Sequence, residues 1–179
     1  KHSATGFNMT TKEDGTVVLS FTVQSQAPNA AKILGGTSSG KNKIEELTDK
    51  KFGSSDFKFT TNQVWTVYKD GSIELEASIT SNQPSLGYMV RVPQQYANFT
   101  YYGRGPIDNY ADRKVGQFIE QHKNTVAGEF VNFPKPQDMG NHEDVRWCAL
   151  TNNAGNGAVF IATDRLSASA LPYSALDLI

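Results

Sequence analysis

Residues 63–79 read QVWTVYKDGSIELEASI. Gln63 to Lys69 is rich in Val, Thr, Trp and Tyr, side chains that fit a pleated, half-buried surface. Beyond Asp70-Gly71, the apolar residues Ile73, Leu75, Ala77 and Ile79 recur every second position. Two such runs across an Asp-Gly pair predict a β-hairpin. The same period extends outward. Leu19, Phe21 and Val23 alternate with Val18, Ser20 and Thr22, and Leu86, Tyr88, Val90 and Val92 alternate with Gly87, Met89 and Arg91. Val145 to Leu150 and Ala158 to Ala162 predict two more strands, joined by the turn-rich residues 151–157, and Val115 to His122 predicts another. Signals for helix are thin: Lys43 to Lys51 offers two turns at most. Many strands with turns between them predict an all-β chain, an antiparallel sandwich or barrel. Residues 24–43 and 128–144 read as long loops.

Composition narrows the function classes. The 179 residues carry 17 Lys plus Arg against 18 Asp plus Glu, a net charge of −1. That balance lacks the basic excess of a protein that neutralises nucleic-acid phosphates. No apolar run approaches the ~20 residues of a helical membrane span. A chain of this length buries enough surface to form a core without staples. Its one cysteine, Cys148, excludes an internal disulfide and any multi-cysteine metal site, and its apolar neighbours make it a packed core thiol. The start at Lys1 and the end at Ile179 suggest a piece of a longer protein.

Three constellations invite chemical readings. Gly35 to Lys41 fits G-x-x-x-x-G-K, but Asn42 stands where the phosphate loop needs a hydroxyl, and the strands read antiparallel. His142-Glu143-Asp144 is the densest titratable cluster. It lies in a Pro-flanked loop, where it could supply a general acid or base, although such a run more often caps a strand or faces solvent. The third is residues 96–113, YANFTYYGRGPIDNYADR, which hold Tyr96, Tyr101, Tyr102 and Tyr110 beside Gly103, Gly105 and Pro106. Aromatic faces with Asn, Asp and Arg are the materials of sugar sites, and equally of strand cores braced by an Asp112–Arg113 ion pair.

Within that block, YYGRGPIDNYADR (101–113) resembles the F/Y-G-R-G-P-x-E-N-Y-x-D-R motif of the C-terminal domain of glycoside hydrolase family 2 β-galactosidases. PKPQDMGNHEDVRW (134–147) is similar to that family's P-Q-E-x-G-x-R-x-D-V-R-W, and SASALPYSALDL (167–178) to its F-S-x-x-P-Y-S-x-x-D-L. The three occur in the family's order, and residues 57–79 resemble the hairpin that precedes them. Asp108 replaces the usual Glu, His142 a common Arg, and Ser167-Ala168 a Phe-Ser pair.

The resemblance implies a large antiparallel β-sandwich of the supersandwich, galactose-mutarotase-like type, with residues 1–179 as a single domain fragment truncated at both ends. It implies a parent hydrolase acting on terminal β-D-galactosides. The two catalytic glutamates of that parent sit in a (β/α)₈ barrel, for which this chain has no room. No catalytic residue, metal site or cofactor is therefore assigned here; the family's Mg or Na ions are expected at sites outside this chain. The expected role is structural: interdomain packing, and walling of the active-site entrance. Arg104, Asn109, Tyr110, Asp112 and Arg113 would pin one loop, with Gln137, Asn141, Asp144, Arg146 and Trp147 pinning the facing one. Tyr102, Gly103, Gly105, Pro106 and His142 complete the sugar-side set. Asp112→Ala is expected to lower the melting temperature sharply. The expected partners are the rest of the parent enzyme, above all its barrel, a β-galactoside or galactose, and a second copy through open sheet edges. Two alternatives remain: an autonomous carbohydrate-binding module using Trp65, Tyr88 or Tyr102 as its platform, and an aldose-1-epimerase-like enzyme with His142 and Glu143 as acid and base.

Overall fold

The computed structural model describes residues 2–26, 58–80, 87–131 and 139–173. They form eight strands: β1 (His2–Thr11), β2 (Val17–Gln26), β3 (Lys58–Val67), β4 (Ile73–Thr80), β5 (Asn98–Gly105), β6 (Phe118–Thr125), β7 (His142–Thr151) and β8 (Gly157–Ala168). Two four-stranded antiparallel sheets result, ordered β1-β2-β3-β4 and β6-β5-β7-β8. With no helix among the described residues, the chain is all-β, consistent with the sandwich class expected. It divides into two compact units, Lys1–Tyr88 and Met89–Ile179.

One hairpin loop recurs three times. Lys12, Tyr68 and Asn152 donate their N–H groups to the carbonyls of Thr16, Ser72 and Asn156 at 2.8, 2.9 and 2.8 Å. Each pair encloses three residues, the last a glycine (Gly15, Gly71, Gly155) with φ between 82 and 87°. This is the three-residue hairpin loop whose left-handed residue only glycine adopts without strain. Asp14 and Asp70 finish two of the loops by accepting the N–H of Thr16 and Ser72, each at 2.9 Å. The hairpin expected at Asp70-Gly71 is thus present, with Lys69-Asp70-Gly71 as its loop.

The register of the first sheet sorts side chains by face. Met9, Leu19, Trp65 and Leu75 are aligned across the four strands, as are Thr11, Val17, Val67 and Ile73. The intervening rows are mainly polar, with a valine in two of them: Val18, Thr66 and Glu74, then Ser20, Val64 and Glu76, then Thr22, Asn62 and Ser78. Period two in the sequence has become one mainly apolar and one mainly polar face.

In the second unit the inward row of β5 is Phe99 and Tyr101, each 1% exposed. They pack with Val145, Cys148 and Ala170, and with Leu150, Phe160 and Leu166 around them. Cys148 is the buried core thiol expected, and burial pushes its pKa up to about 11.

Several local expectations fail. Residues 87–93 make no ladder despite their alternation. Tyr88, Met89 and Val90 are 53, 74 and 61% exposed. An alternating pattern becomes a strand only where a partner offers hydrogen bonds, and Pro93 has no N–H to give. Leu86 lies outside the described residues. Strand β6 starts at Phe118 rather than Val115, because Val115-Gly116 forms a turn with Gly116 at φ 75°. The loop expected over 128–144 ends earlier: His142, Glu143 and Asp144 open β7. Likewise β2 runs to Gln26, into the loop expected over 24–43. The rest of that loop, Gly35 to Lys41 and Lys43 to Lys51 lie outside the described residues.

Candidate functional site

The motif block 101–113 and the start of β7 come together in the second unit, stitched by Asn109. This side chain is fully buried, and its amide N–H groups donate to the carbonyls of Arg104 (2.9 Å) and Ile107 (3.0 Å) and to Gln117 Oε1 (3.4 Å). Its Oδ1 accepts the N–H of Glu143 at 2.8 Å. The Asn109 N–H donates to the Asn141 carbonyl at 2.8 Å, and Asn141 Nδ2 returns a bond to the Asn109 carbonyl at 2.8 Å. Every donor and acceptor is matched, as burial demands.

Beside it, Asp144 gathers charge. Arg104 on β5 donates Nε to Asp144 Oδ2 at 2.8 Å and Nη1 to the Gln117 carbonyl at 3.2 Å. Lys114 Nζ lies 3.6 Å from Asp144 Oδ2, and Arg165 Nη1 on β8 lies 3.4 Å from its Oδ1. Arg146 reaches back to the Asp144 carbonyl. The Arg104 hydrogen bond, helped by the charges of Lys114 and Arg165 against a burial penalty, holds the Asp144 carboxyl below its usual range. Burial raises Glu143, but hydrogen bonds from Ser167, Asn141 and Lys114 outweigh it and leave this carboxyl low as well. Asp144 sits where the β7–β8 register shifts, at φ 56°. Asp, like Asn, enters this left-handed region more readily than other non-glycine residues, so the position suits an Asp and penalises a residue such as Ala.

The expected Asp112–Arg113 pair is not what forms. Arg113 Nη1 lies 3.3 Å from Asp108 Oδ1, and Tyr110 Oη donates to Asp108 Oδ2 at 2.7 Å. Asp108 is buried whereas Asp112 is exposed, so the shorter acid that replaces the family's glutamate braces this loop. Gly103 and Gly105 are dictated by crowding: an added Cβ would lie 2.7 Å from Val145 Cγ2 and 2.4 Å from Tyr101 Oη, respectively. Pro106 follows a cis peptide, and its carbonyl accepts the Tyr101 hydroxyl at 3.4 Å. Tyr102 and Trp147 face one another in register across β5 and β7. Gln137 lies outside the described residues, as do Ser174 to Leu178 of the third motif.

The 142–144 run does open a strand, β7, but His142 does not face solvent. It is 1% exposed, stacked on Tyr101 at 4.1 Å between centroids, with Nε2 2.5 Å from Glu129 Oε2. Glu129 is itself buried and accepts Asn124 Nδ2 at 2.6 Å. Burial, and the nearby charge of Glu129, push the Tyr101 hydroxyl well above its ordinary pKa. Sequence reasoning passed over Glu129, Lys114, Gln117 and Arg165. Lys114 adjoins the motif and could have been included; Glu129 had no local signal at all. Among the described residues, no group of three or more His, Cys, Asp or Glu side chains is placed to hold a metal ion.

The chain matches the family model described as β-galactosidase small chain over residues 7–179. It is 34% identical over 119 residues to a β-galactosidase of Priestia megaterium, an alignment covering 64% of this chain and 12% of that protein. It is 35% identical over 94 residues to β-galactosidase BgaC of Bifidobacterium adolescentis (51% of this chain, 9% of that one). To the Lactobacillus delbrueckii subsp. bulgaricus β-galactosidase it is 35% identical over 96 residues, 53% of this chain and 9% of that protein. The alignments span only about a tenth of each of these relatives. Residues 101–113, with their Asn109 and Arg104 ties to β7, lie inside the matched region, and the chain belongs to the β-galactosidase small-chain family.

Proposed function

We propose that this chain serves a β-galactosidase as a non-catalytic domain that packs against the rest of the enzyme and helps wall its active-site entrance, the complete protein hydrolysing terminal β-D-galactosides. The observation that carries this reading is the occupancy of the four acids at the site. Asp108, Glu129, Glu143 and Asp144 are each held by hydrogen bonds or ion pairs to neighbouring side chains, so they serve as braces. A retaining glycosidase needs one carboxylate able to attack the anomeric carbon and a second able to pass a proton, about 5 Å apart. The relatives are named for that activity, and their length leaves ample chain to supply such a pair elsewhere. Magnesium or sodium ions, where the enzyme uses them, are placed by the same reading outside this chain.

The epimerase alternative draws no support from the site, because His142 is buried against Tyr101 and Glu129 while Glu143 is tied to Ser167, Asn141 and Lys114. The test is restoration of activity in trans. The P. megaterium β-galactosidase lacking the segment matched here is co-expressed with this chain and assayed on a chromogenic galactoside. Activity that appears only with both pieces supports the proposal. Turnover by this chain alone refutes it.

A further inference from the structure

The loop joining β7 to β8 carries Asn156-Gly157, the one Asn-Gly pair in the sequence. Asn152 and Asn156 close this loop as a hydrogen-bonded pair. Antiparallel ladders alternate bonded with non-bonded pairs, so at the next pair, Thr151 and Gly157, the Gly157 N–H points away from β7. That side is open among the described residues, because β8 is the last strand of its sheet. Asn156 and Gly157 are both exposed. The neighbouring asparagines are held. Asn152 Oδ1 accepts the N–H groups of Ala154 and Asn156, each at 3.0 Å, and Asn153 Oδ1 accepts Asn98 Nδ2 at 3.2 Å. Residue 157 admits nothing larger than glycine, since an added Cβ would lie 1.9 Å from the Leu150 carbonyl oxygen. No side chain of its own therefore shields the Gly157 nitrogen from the amide carbon one residue before it.

Asp14-Gly15 and Asp70-Gly71, in the two sister loops, are arranged differently. Gly15 and Gly71 donate their N–H groups to the Lys12 and Tyr68 carbonyls at 2.9 and 3.1 Å, while Asp14 and Asp70 accept the Thr16 and Ser72 N–H groups. There the attacking nitrogen and the side chain it would attack are both tied into the turn. At 156–157 the nitrogen faces solvent beside an exposed amide. We propose that Asn156 is a site of spontaneous deamidation, a modification that needs water and no enzyme. The Gly157 nitrogen attacks Asn156 Cγ: the N–Cγ bond forms, the Cγ–Nδ2 bond breaks, and the side-chain nitrogen leaves as ammonia, taking up the Gly157 amide proton through solvent. Water then opens the cyclic imide at either carbonyl. The products are aspartate, or an isoaspartate whose backbone runs through Cβ, and neither step involves oxidation or reduction.

The test ages the folded 179-residue chain at pH 8 and follows the tryptic peptide 147–165 by mass spectrometry. Fragment ions place each amide-to-acid mass gain, and isoaspartyl methyltransferase labelling reports the isoaspartate. The expected result is conversion at Asn156 at least about tenfold faster than at Asn152 or Asn153, and within about tenfold of its rate in the same peptide excised beforehand. In Asn156→Ser, which keeps Gly157 and the loop backbone, the fast gain disappears. Conversion led by Asn152 or Asn153 overturns the proposal, and so does a fast gain that persists in Asn156→Ser. Isoaspartate at Asp14 or Asp70 ahead of Asn156 overturns it too. So does conversion at Asn156 more than about tenfold slower in the folded chain than in the excised peptide, because the fold would then protect the site.

Discussion

Replacing Asp144 tests the site where the most cations converge and the backbone is left-handed. Asp144→Ala removes the carboxylate that receives Arg104 at 2.8 Å and leaves that guanidinium, 21% exposed, without its partner. Breaking a fully buried pair costs about 3–5 kcal/mol and a surface pair about 0–1 kcal/mol, so this partly buried one is placed near 2 kcal/mol. Alanine must also adopt φ 56°, which adds about 1 kcal/mol over a residue suited to the left-handed region. The sum, about 3 kcal/mol, lowers the melting temperature by about 6–12 °C for a chain of this size. Asp144→Gly loses the same charge without the backbone penalty and melts about 2–4 °C above the alanine variant. Asp144→Asn keeps both a left-handed preference and a hydrogen-bond acceptor, and falls least. Differential scanning calorimetry of the three variants reads the order Asn, Gly, Ala. A glycine variant no more stable than the alanine one refutes the strain argument, and an alanine variant within about 1 °C of wild type refutes the charge argument.

Further outcomes follow from the same geometry. Asn109→Asp turns a donor that faces the Arg104 and Ile107 carbonyls into an acceptor, and costs at least about 3 kcal/mol, read as a fall in urea midpoint. Asp108→Ala removes the buried carboxylate that accepts the Tyr110 hydroxyl and faces Arg113, and lowers the melting temperature by several degrees, whereas Asp112→Ala, at an exposed position, moves it by about 1 °C or less. Asp144 and Glu143 are both held below their usual pKa, so the stability they contribute is complete above their unfolded values near 4 and is lost as pH falls through the folded ones. The gap in melting temperature between wild type and Asp144→Asn therefore narrows below about pH 4; a gap that widens contradicts this assignment. Cys148, buried and with its thiol pushed up to about 11, reacts with Ellman's reagent at pH 8 only after denaturation.

The strands were legible wherever alternation had a partner to meet. Val18 to Val23 and the hairpin around Asp70-Gly71 show this, while residues 87–93 carry the same pattern and make no ladder, since sequence period records amphipathicity and not pairing. The site was half legible. Arg104, Asn109, Asn141 and Asp144 were named from motif similarity, and the structure joins them by direct contacts. Its acid partners were misread at Arg113, where proximity in sequence suggested Asp112; the chain's turn at Tyr110 brings Asp108 to the guanidinium instead. Glu129 was invisible because it meets His142 only through tertiary packing, thirteen residues away. The His142-Glu143-Asp144 run looked solvated because three polar residues in a row usually are. A strand start beneath the motif loop buries the first and salt-bridges the others.

The central claim is that this chain supports a β-galactosidase without performing its chemistry. The most direct measurement is hydrolysis of a chromogenic β-galactoside by the 179-residue chain, purified from a host lacking β-galactosidase. Release of chromophore at the rate of the buffer blank is the predicted result. Turnover that co-purifies with the folded chain and disappears on its denaturation would contradict it.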